Sequence, residues 1–142
     1  MRPWERAKTW FGRKAQPEHL RRGALGERLA KTHLCRLGLK FLAANFRSPR
    51  GEIDLVFRDE DCLVFVEVKT RSPESWTRPA AAVNAGKRRR LSKAALDYVK
   101  RLKDREVRFR FDIVEVLLPD EGDPEIRHLP NTFPLAPPYR HG

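Results

Sequence analysis

The feature that most constrains the fold is a pair of apolar segments joined by a short polar turn. Residues 53–58 alternate around Asp54, the stretch DEDC at 59–62 is typical of a turn, and residues 63–70 are the longest strand candidate of the chain. This pattern predicts a β-hairpin over 53–70. Because its second segment is so apolar, we expect that segment to form the central strand of a sheet.

Two opposite charges interrupt this second strand. Strand side chains alternate between faces, so Glu67 and Lys69 must point to the same side of the sheet. A turn centred on residues 60 and 61 would place residue i opposite residue 121 − i, and therefore Asp54 opposite Glu67, with Cβ atoms roughly 5 Å apart. The apolar side chains of both strands are then expected on the other face: Ile53, Leu55, Phe57, Val64, Val66 and Val68.

Two opposed carboxylates repel each other and raise each other's pKa unless a cation lies between them. Lys69 could neutralise one of the two. A divalent metal held by both Asp54 and Glu67 would satisfy the pair better, and Mg²⁺ suits one or two carboxylates combined with a phosphate. The alternative is a solvated sheet face that carries ordinary Glu–Lys ion pairs.

The charge of the chain is strongly positive and unevenly distributed. The 142 residues include 30 Lys and Arg against 19 Asp and Glu, a net charge of +11. Such a field attracts polyanions, above all nucleic acid, with an anionic membrane surface as the lesser option. We expect one domain over 19–118, preceded by a basic N-terminal arm (1–18) and followed by a proline-rich, acidic tail (119–142), which we expect to be extended or frayed.

The remaining segments predict the order α-β-β-β-α-β. A helix is predicted over 19–37, and Gly38 follows it as a stop signal. A short strand covers 40–47, and the last strand covers 107–118. The second helix is expected to begin near Pro79. Its buried stripe is predicted to contain Leu91, Ala94, Ala95, Tyr98 and Leu102.

The chain has no segment that resembles a secretory signal or a membrane-spanning helix. Cys35 and Cys62 lie far apart without a C-x-x-C pair, and the four histidines show no ligand spacing. These features predict a cytoplasmic protein without a zinc site.

The chain resembles the YraN family of small bacterial proteins in five blocks: GALGERLAKTHLCRLG (23–38), NFRSPRGEIDLV (45–56), VFVEVKTR (64–71), AAVNAGKRRRLSKAALDYV (81–99) and RFDIVEV (110–116). The resemblance covers about residues 19–118. It implies an α/β restriction-endonuclease-like core, with helices flanking a mixed central sheet, similar to the core of archaeal Holliday junction resolvases. The stretch SWTRPAAAV (75–83) departs from the Gly-rich segment typical of the family.

The resemblance also implies a D…E-x-K nuclease site. Asp54 and Glu67 would bind Mg²⁺ or Mn²⁺ with the carbonyl of Val68 as a further ligand, and Glu27 of the first helix would join them. Lys69 would orient the attacking water or stabilise developing negative charge. Glu52 is expected to be structural and to pair with Arg47 or Arg50. The expected nucleic-acid contacts come from the basic residues next to this site: Arg71, Lys87, Arg88 and Arg90.

Two functions are compatible with these features. The first is a Mg²⁺-dependent endonuclease that acts on branched or structured DNA in repair or recombination. The second is a non-catalytic nucleic-acid-binding module on a nuclease fold. DNA is the more favoured partner over RNA, and a homodimer is possible because a four-way junction presents two strands to cut.

Overall fold

The structure, a computed structural model, describes residues 17–72, 84–102 and 106–134. These residues form one five-stranded sheet in the order β1-β2-β3-β4-β5, with β3 in the centre. The β3–β4 pair is parallel and the other three pairs are antiparallel. The elements are α1 (Glu18–Arg36), β1 (Lys40–Ser48), β2 (Gly51–Asp59), β3 (Cys62–Arg71), α2 (Ala85–Arg101), β4 (Arg108–Leu117) and β5 (Glu125–Phe133). The predicted α/β fold, with a mixed central sheet flanked by helices, is confirmed.

The β2–β3 hairpin has the predicted register. Its ladder runs from Leu55 opposite Val66 to Asp59 opposite Cys62, so the paired residue numbers always sum to 121. The two residues of the turn are Glu60 and Asp61, and Glu60 adopts a φ of 53°. Asp54 and Glu67 are the next residues along the two strands.

A core lies on each face of the sheet. Leu55, Phe57, Val64 and Val66 pack with α1 on one face. The opposite face packs on α2, and its cluster includes Leu63, Phe65, Leu91, Ala94 and Ala95. This burial of both faces explains why β3 is apolar along most of its length.

The predicted position of Ile53 is wrong. Ile53 packs in the α2-side core, whereas Leu55, two residues later, packs in the α1-side core. Strict alternation would put both side chains on one face, so the alternation of β2 is interrupted between Ile53 and Leu55. The neighbouring residue of β1, Asn45, has a left-handed φ of 53°, which is consistent with this local distortion.

Two glycines allow the helices to approach the sheet closely. A Cβ at Gly26 of α1 would overlap the side-chain hydroxyl of Thr70 in β3. A Cβ at Gly51, at the start of β2, would lie 2.5 Å from the carbonyl oxygen of Arg90 in α2. Both helices therefore lie close to the same end of the β2–β3 hairpin.

The ends of the two helices only partly match the prediction. Gly38 follows α1 with a φ of 96°, as expected for a glycine at a helix end. The helix α2 begins at Ala85, and the Asn84 side chain accepts a hydrogen bond from the backbone N–H of Lys87. Pro79, near which the helix was expected to begin, lies outside the described residues. Leu102, assigned to the buried stripe, follows the last turn and is 42% exposed.

The strand β5 extends the sheet beyond the predicted last strand. It pairs with β4 from Leu117 opposite Glu125 to Phe111 opposite Phe133. Asp112 of β4, which is fully buried, accepts a hydrogen bond from the backbone N–H of Asn131 in β5. The proline-rich composition after residue 118 concealed this strand, whose register is held by long-range contacts.

Among the described helices, none has the length and apolar character that crossing a membrane requires.

Candidate active site

A cleft of about 890 Å³ lies where β2 and β3 meet α1 and the first turns of α2. Seven of the residues predicted for a site line this cleft: Glu27, Asp54, Glu67, Val68, Lys69, Lys87 and Arg90. They come from four elements, so the close approach of the two helices to the hairpin is what brings them together.

The two carboxylates of the hairpin form the centre of the cleft. Asp54 Oδ2 accepts a hydrogen bond of 2.8 Å from the backbone N–H of Val68. The pKa of Asp54 is raised to about 7, first by burial and then by the charge of Glu67, a hydrogen bond with Glu67 and the charge of Glu27. The hydrogen bond from Val68 acts in the opposite direction. The expected repulsion between Asp54 and Glu67 is therefore present, and the pair favours a bound proton or cation.

Glu67 is not on a solvated sheet face. Its side chain is 8% exposed and lies on the α2-covered side of β3, in line with Leu63 and Phe65. A buried carboxylate needs compensating charge. Two lysines supply it: Lys87 Nζ forms a close ion pair with Glu67 Oε1, and Lys69 Nζ lies 3.7 Å from the same oxygen.

The two lysines differ in how firmly they hold their protons. Burial lowers the pKa of Lys69, and the adjacent Lys87 lowers it further, against the charges of Glu67 and Asp54. Burial alone would lower the pKa of Lys87 too, but its hydrogen bonds with Glu67 and Lys69 raise it above its ordinary value. Lys87 is therefore the more persistent positive charge of the two.

Glu27 approaches the hairpin from α1. Burial raises the pKa of Glu27, and the charges of Glu52 and Glu67 act in the same direction, whereas a hydrogen bond with the side chain of Asn45 lowers it. Glu27 thus shares the electrostatic environment of the carboxylate pair. Its position follows from Gly26, which brings this turn of α1 against β3.

Two of the predicted nucleic-acid contacts, Arg71 and Arg88, are not among the described residues that line the cleft. Arg71 Nε lies 3.8 Å from the buried carboxylate of Glu115 in β4. Arg88 is half-buried in α2, and its backbone carbonyl accepts a hydrogen bond from Ser92.

The rim of the cleft is basic, although some of its charges are paired. His19, Arg22, Arg47 and Arg50 line it together with Arg90. Arg47 Nε lies 3.4 Å from a Glu52 carboxylate oxygen, so the expected pairing of Glu52 is present, although Glu52 also lines the cleft. Arg50 forms a 2.6 Å ion pair with Asp97 of α2. This second pair ties the β1–β2 turn to α2.

Sequence reasoning missed three residues that shape the site. Gly26 and Gly51 set the distances of α1 and α2 from the sheet, and Asn45 contacts Glu27. Asn is one of the few residue types that adopts a left-handed backbone readily, so its place within a strand was a signal. The two glycines carried no comparable signal because their contacts come from distant parts of the chain.

Comparison with known proteins gives the family of the chain. The model of the uncharacterised protein family UPF0102 matches residues 26–116. The chain belongs to UPF0102. This result confirms the resemblance to the YraN family.

Relatives in UPF0102 cover most of the chain. A UPF0102 protein of Trichlorobacter lovleyi is 43% identical over 115 residues, which are 80% of this chain and 91% of the relative. A UPF0102 protein of Pelobacter propionicus is 42% identical over 124 residues, 86% of this chain and 89% of the relative. One from Rhodococcus opacus is 38% identical over 111 residues, 78% of this chain and 94% of the relative.

The UPF0102 match contains the centre of the cleft. It begins at Gly26 and ends at Val116 of β4, so it includes the carboxylate pair and both lysines. The strand β5 follows the matched residues.

Proposed function

We propose that this UPF0102 protein is a divalent-metal-dependent endonuclease that acts on branched or structured DNA. The observation that carries this proposal is that two mutually repelling carboxylates and two lysines lie together in one cleft with a basic rim. Asp54 and Glu67 need positive charge, and the surrounding Lys and Arg side chains attract a phosphate backbone. A phosphodiester and a metal ion together would satisfy both requirements.

The residues fit a Mg²⁺ or Mn²⁺ ion that takes only part of its ligands from the protein. Within residues 17–72, 84–102 and 106–134, no three side chains of His, Cys, Asp or Glu gather closely enough to form a complete metal site. Asp54 and Glu67 are hard oxygen donors next to each other, and Mg²⁺ is commonly held by one or two carboxylates together with water and substrate phosphate. The backbone carbonyl of Val68, which follows Glu67 in β3, is a further candidate donor.

The chemistry that a bound Mg²⁺ supplies is polarisation of the phosphodiester and a lower pKa for an attacking water. In the hydrolysis, the water oxygen forms a bond to phosphorus and the water gives up a proton. The bond from phosphorus to one sugar oxygen breaks, and that oxygen takes up a proton. Lys69 would orient the water or stabilise the negative charge that develops on the phosphate. Arg90 at the rim would contact the phosphate backbone and so position the strand.

The test is cleavage of four-way junction, flap and plain duplex DNA with Mg²⁺ or Mn²⁺. The wild-type protein should cut a branched substrate, and Asp54→Ala and Lys69→Ala should abolish cutting while retaining DNA binding. Asp61→Ala is the matched control, because Asp61 is an exposed acid at the opposite end of the hairpin and forms an ion pair with the exposed Arg108. This control should cut like the wild type.

The second candidate is a non-catalytic nucleic-acid-binding module. The contact of Lys87 with Glu67 favours it, since a lysine already compensates the acid that a metal would need. Binding to all three DNA substrates without cleavage in either metal would establish this function and refute the nuclease. For both candidates, DNA affinity should fall steeply with salt, and a flat salt response would contradict them.

A further inference from the structure

Lys87 lies beside the carboxylate pair and contacts Glu67, one of the two acids proposed to hold a metal ion. Its Nζ contacts Oε1 of Glu67, the same oxygen that Lys69 approaches. The side chain of Glu67 is 8% exposed and that of Lys87 is 27% exposed, so the ion pair is largely shielded from water. Lys87 therefore provides the main compensating charge for the buried acid.

The backbone of Lys87 is held while its side chain spans the cleft. The N–H of Lys87 donates a 2.9 Å hydrogen bond to the Asn84 side chain, which caps α2. From this first turn the lysine side chain reaches β3. A four-carbon stem with several rotatable bonds can change direction without any movement of the helix.

If Asp54 and Glu67 held a divalent ion, Lys87 would have to share the Glu67 carboxylate with it. Two positive charges next to the same carboxylate repel each other in a site that is largely shielded from water. Binding of the ion must therefore weaken the contact between Lys87 and Glu67. The released ammonium group remains in the cleft, where Arg90 and the basic rim also lie.

We propose that Lys87 is a tethered counter-ion of the Asp54–Glu67 pair, which an incoming divalent cation displaces and which then binds a phosphate of the nucleic acid. The proposal rests on the proposed function, because it takes the carboxylate pair as the metal site. It adds a coupling between two ligands. Metal binding frees Lys87 for phosphate, and phosphate holds Lys87 away from the metal site, so each ligand strengthens the binding of the other.

The first experiment measures metal affinity without any catalysis. Mn²⁺ is titrated calorimetrically into the full-length wild type, Lys87→Met and Arg89→Met. Arg89 is exposed and two positions along the same helix, so its replacement removes the same charge without touching the carboxylate pair. Lys87→Met should bind Mn²⁺ roughly fivefold more tightly than Arg89→Met, since the competing ion pair is lost.

The outcomes of this titration separate the two proposals. Equal Mn²⁺ affinities of the two variants, or weaker binding by Lys87→Met, would overturn the counter-ion role while leaving the metal site intact. If none of the three proteins binds Mn²⁺, the metal site of the proposed function fails and the counter-ion role fails with it. Circular dichroism of each variant checks that the fold is retained.

The second experiment measures the coupling. Affinity for a four-way DNA junction is compared with and without Ca²⁺ in the same three proteins. Ca²⁺ should raise the DNA affinity of the wild type and of Arg89→Met several-fold, and the increase should be at least halved in Lys87→Met. An equal increase in all three proteins would show that Lys87 does not link the two ligands.

Discussion

Replacing Asp54 with Asn should stabilise the metal-free protein by an amount that grows with pH. The pKa of Asp54 is raised from 3.8 to about 7 by burial and by the neighbouring acids. Between these two pH values the folded protein holds a proton that the unfolded chain has lost. The contribution of Asp54 to wild-type stability therefore falls as the pH rises through this window, and levels off above about pH 7.

The magnitude follows from the size of the shift. A shift of roughly 3 pKa units corresponds to about 4 kcal/mol, at about 1.4 kcal/mol for each unit. An Asn at this position is neutral at every pH, and its side-chain oxygen can still accept the hydrogen bond from Val68. We therefore expect the stability difference between Asp54→Asn and the wild type to increase by about 1.4 kcal/mol per pH unit up to about pH 7.

The assay is urea unfolding followed by circular dichroism in the presence of a chelator, from about pH 5 to about pH 8. Asp120→Asn removes an exposed carboxylate and serves as the control, with an expected difference within about 0.5 kcal/mol at every pH. A difference between Asp54→Asn and the wild type that does not vary with pH would refute the reasoning. So would a variant less stable than the wild type at about pH 8. Saturating Mg²⁺ should then stabilise the wild type and leave Asp54→Asn unchanged.

Two further predictions concern the packing around the cleft and the anchoring of β5. Gly26→Ala should destabilise the fold by about 1–3 kcal/mol in thermal unfolding, because the added Cβ overlaps the side chain of Thr70. The control Gly23→Ala, which adds a Cβ in open space on the same helix, should be neutral or stabilising. Equal effects of the two substitutions would refute the close packing at Gly26. Asp112→Asn should cost about 1.5–3 kcal/mol near neutral pH, since Asp112 is buried and its carboxylate accepts hydrogen bonds from the Arg110 guanidinium and the Asn131 N–H. Although burial opposes it, these hydrogen bonds lower the pKa of Asp112, so the stability lost in Asp112→Asn should shrink as the pH falls below the ordinary value of 3.8. A loss of stability in urea unfolding that stays constant across that range would contradict the anchoring role of Asp112. So would an equal effect of the exposed control Asp61→Asn.

The hairpin and its charged residues were predictable because the information is local. Alternation and a two-residue turn together define the register, and the register puts Asp54 beside Glu67. The same local rules failed for Ile53, which packs on the α2 side although Leu55 packs on the α1 side. Asn45 of the neighbouring strand, beside this interruption, has a left-handed backbone. The sequence pattern of one strand does not predict the backbone conformation of the neighbouring strand.

The strand β5 shows a second limit of local patterns. Its segment includes Pro130, and the residues before it are rich in acids and turn formers, a composition typical of an extended tail. Its pairing depends instead on Asp112, whose carboxylate holds the backbone of Asn131 and the ring of His128. Asp112 was visible in the sequence, but its partners lie 16 and 19 residues away.

The sequence by itself determined the α/β class, the central hairpin and the acids and the lysine that the hairpin carries, because each follows from a period of two or from the composition. Only the tertiary structure decided how these groups meet. Lys87 lies 20 positions after Glu67, and no spacing rule predicts that its ammonium group contacts that carboxylate. The contact exists because Gly51 lets α2 approach the sheet, and because the core around Phe65 fixes the helix there. Packing of distant segments thus converts two charges in a strand into a buried site with its own counter-ion.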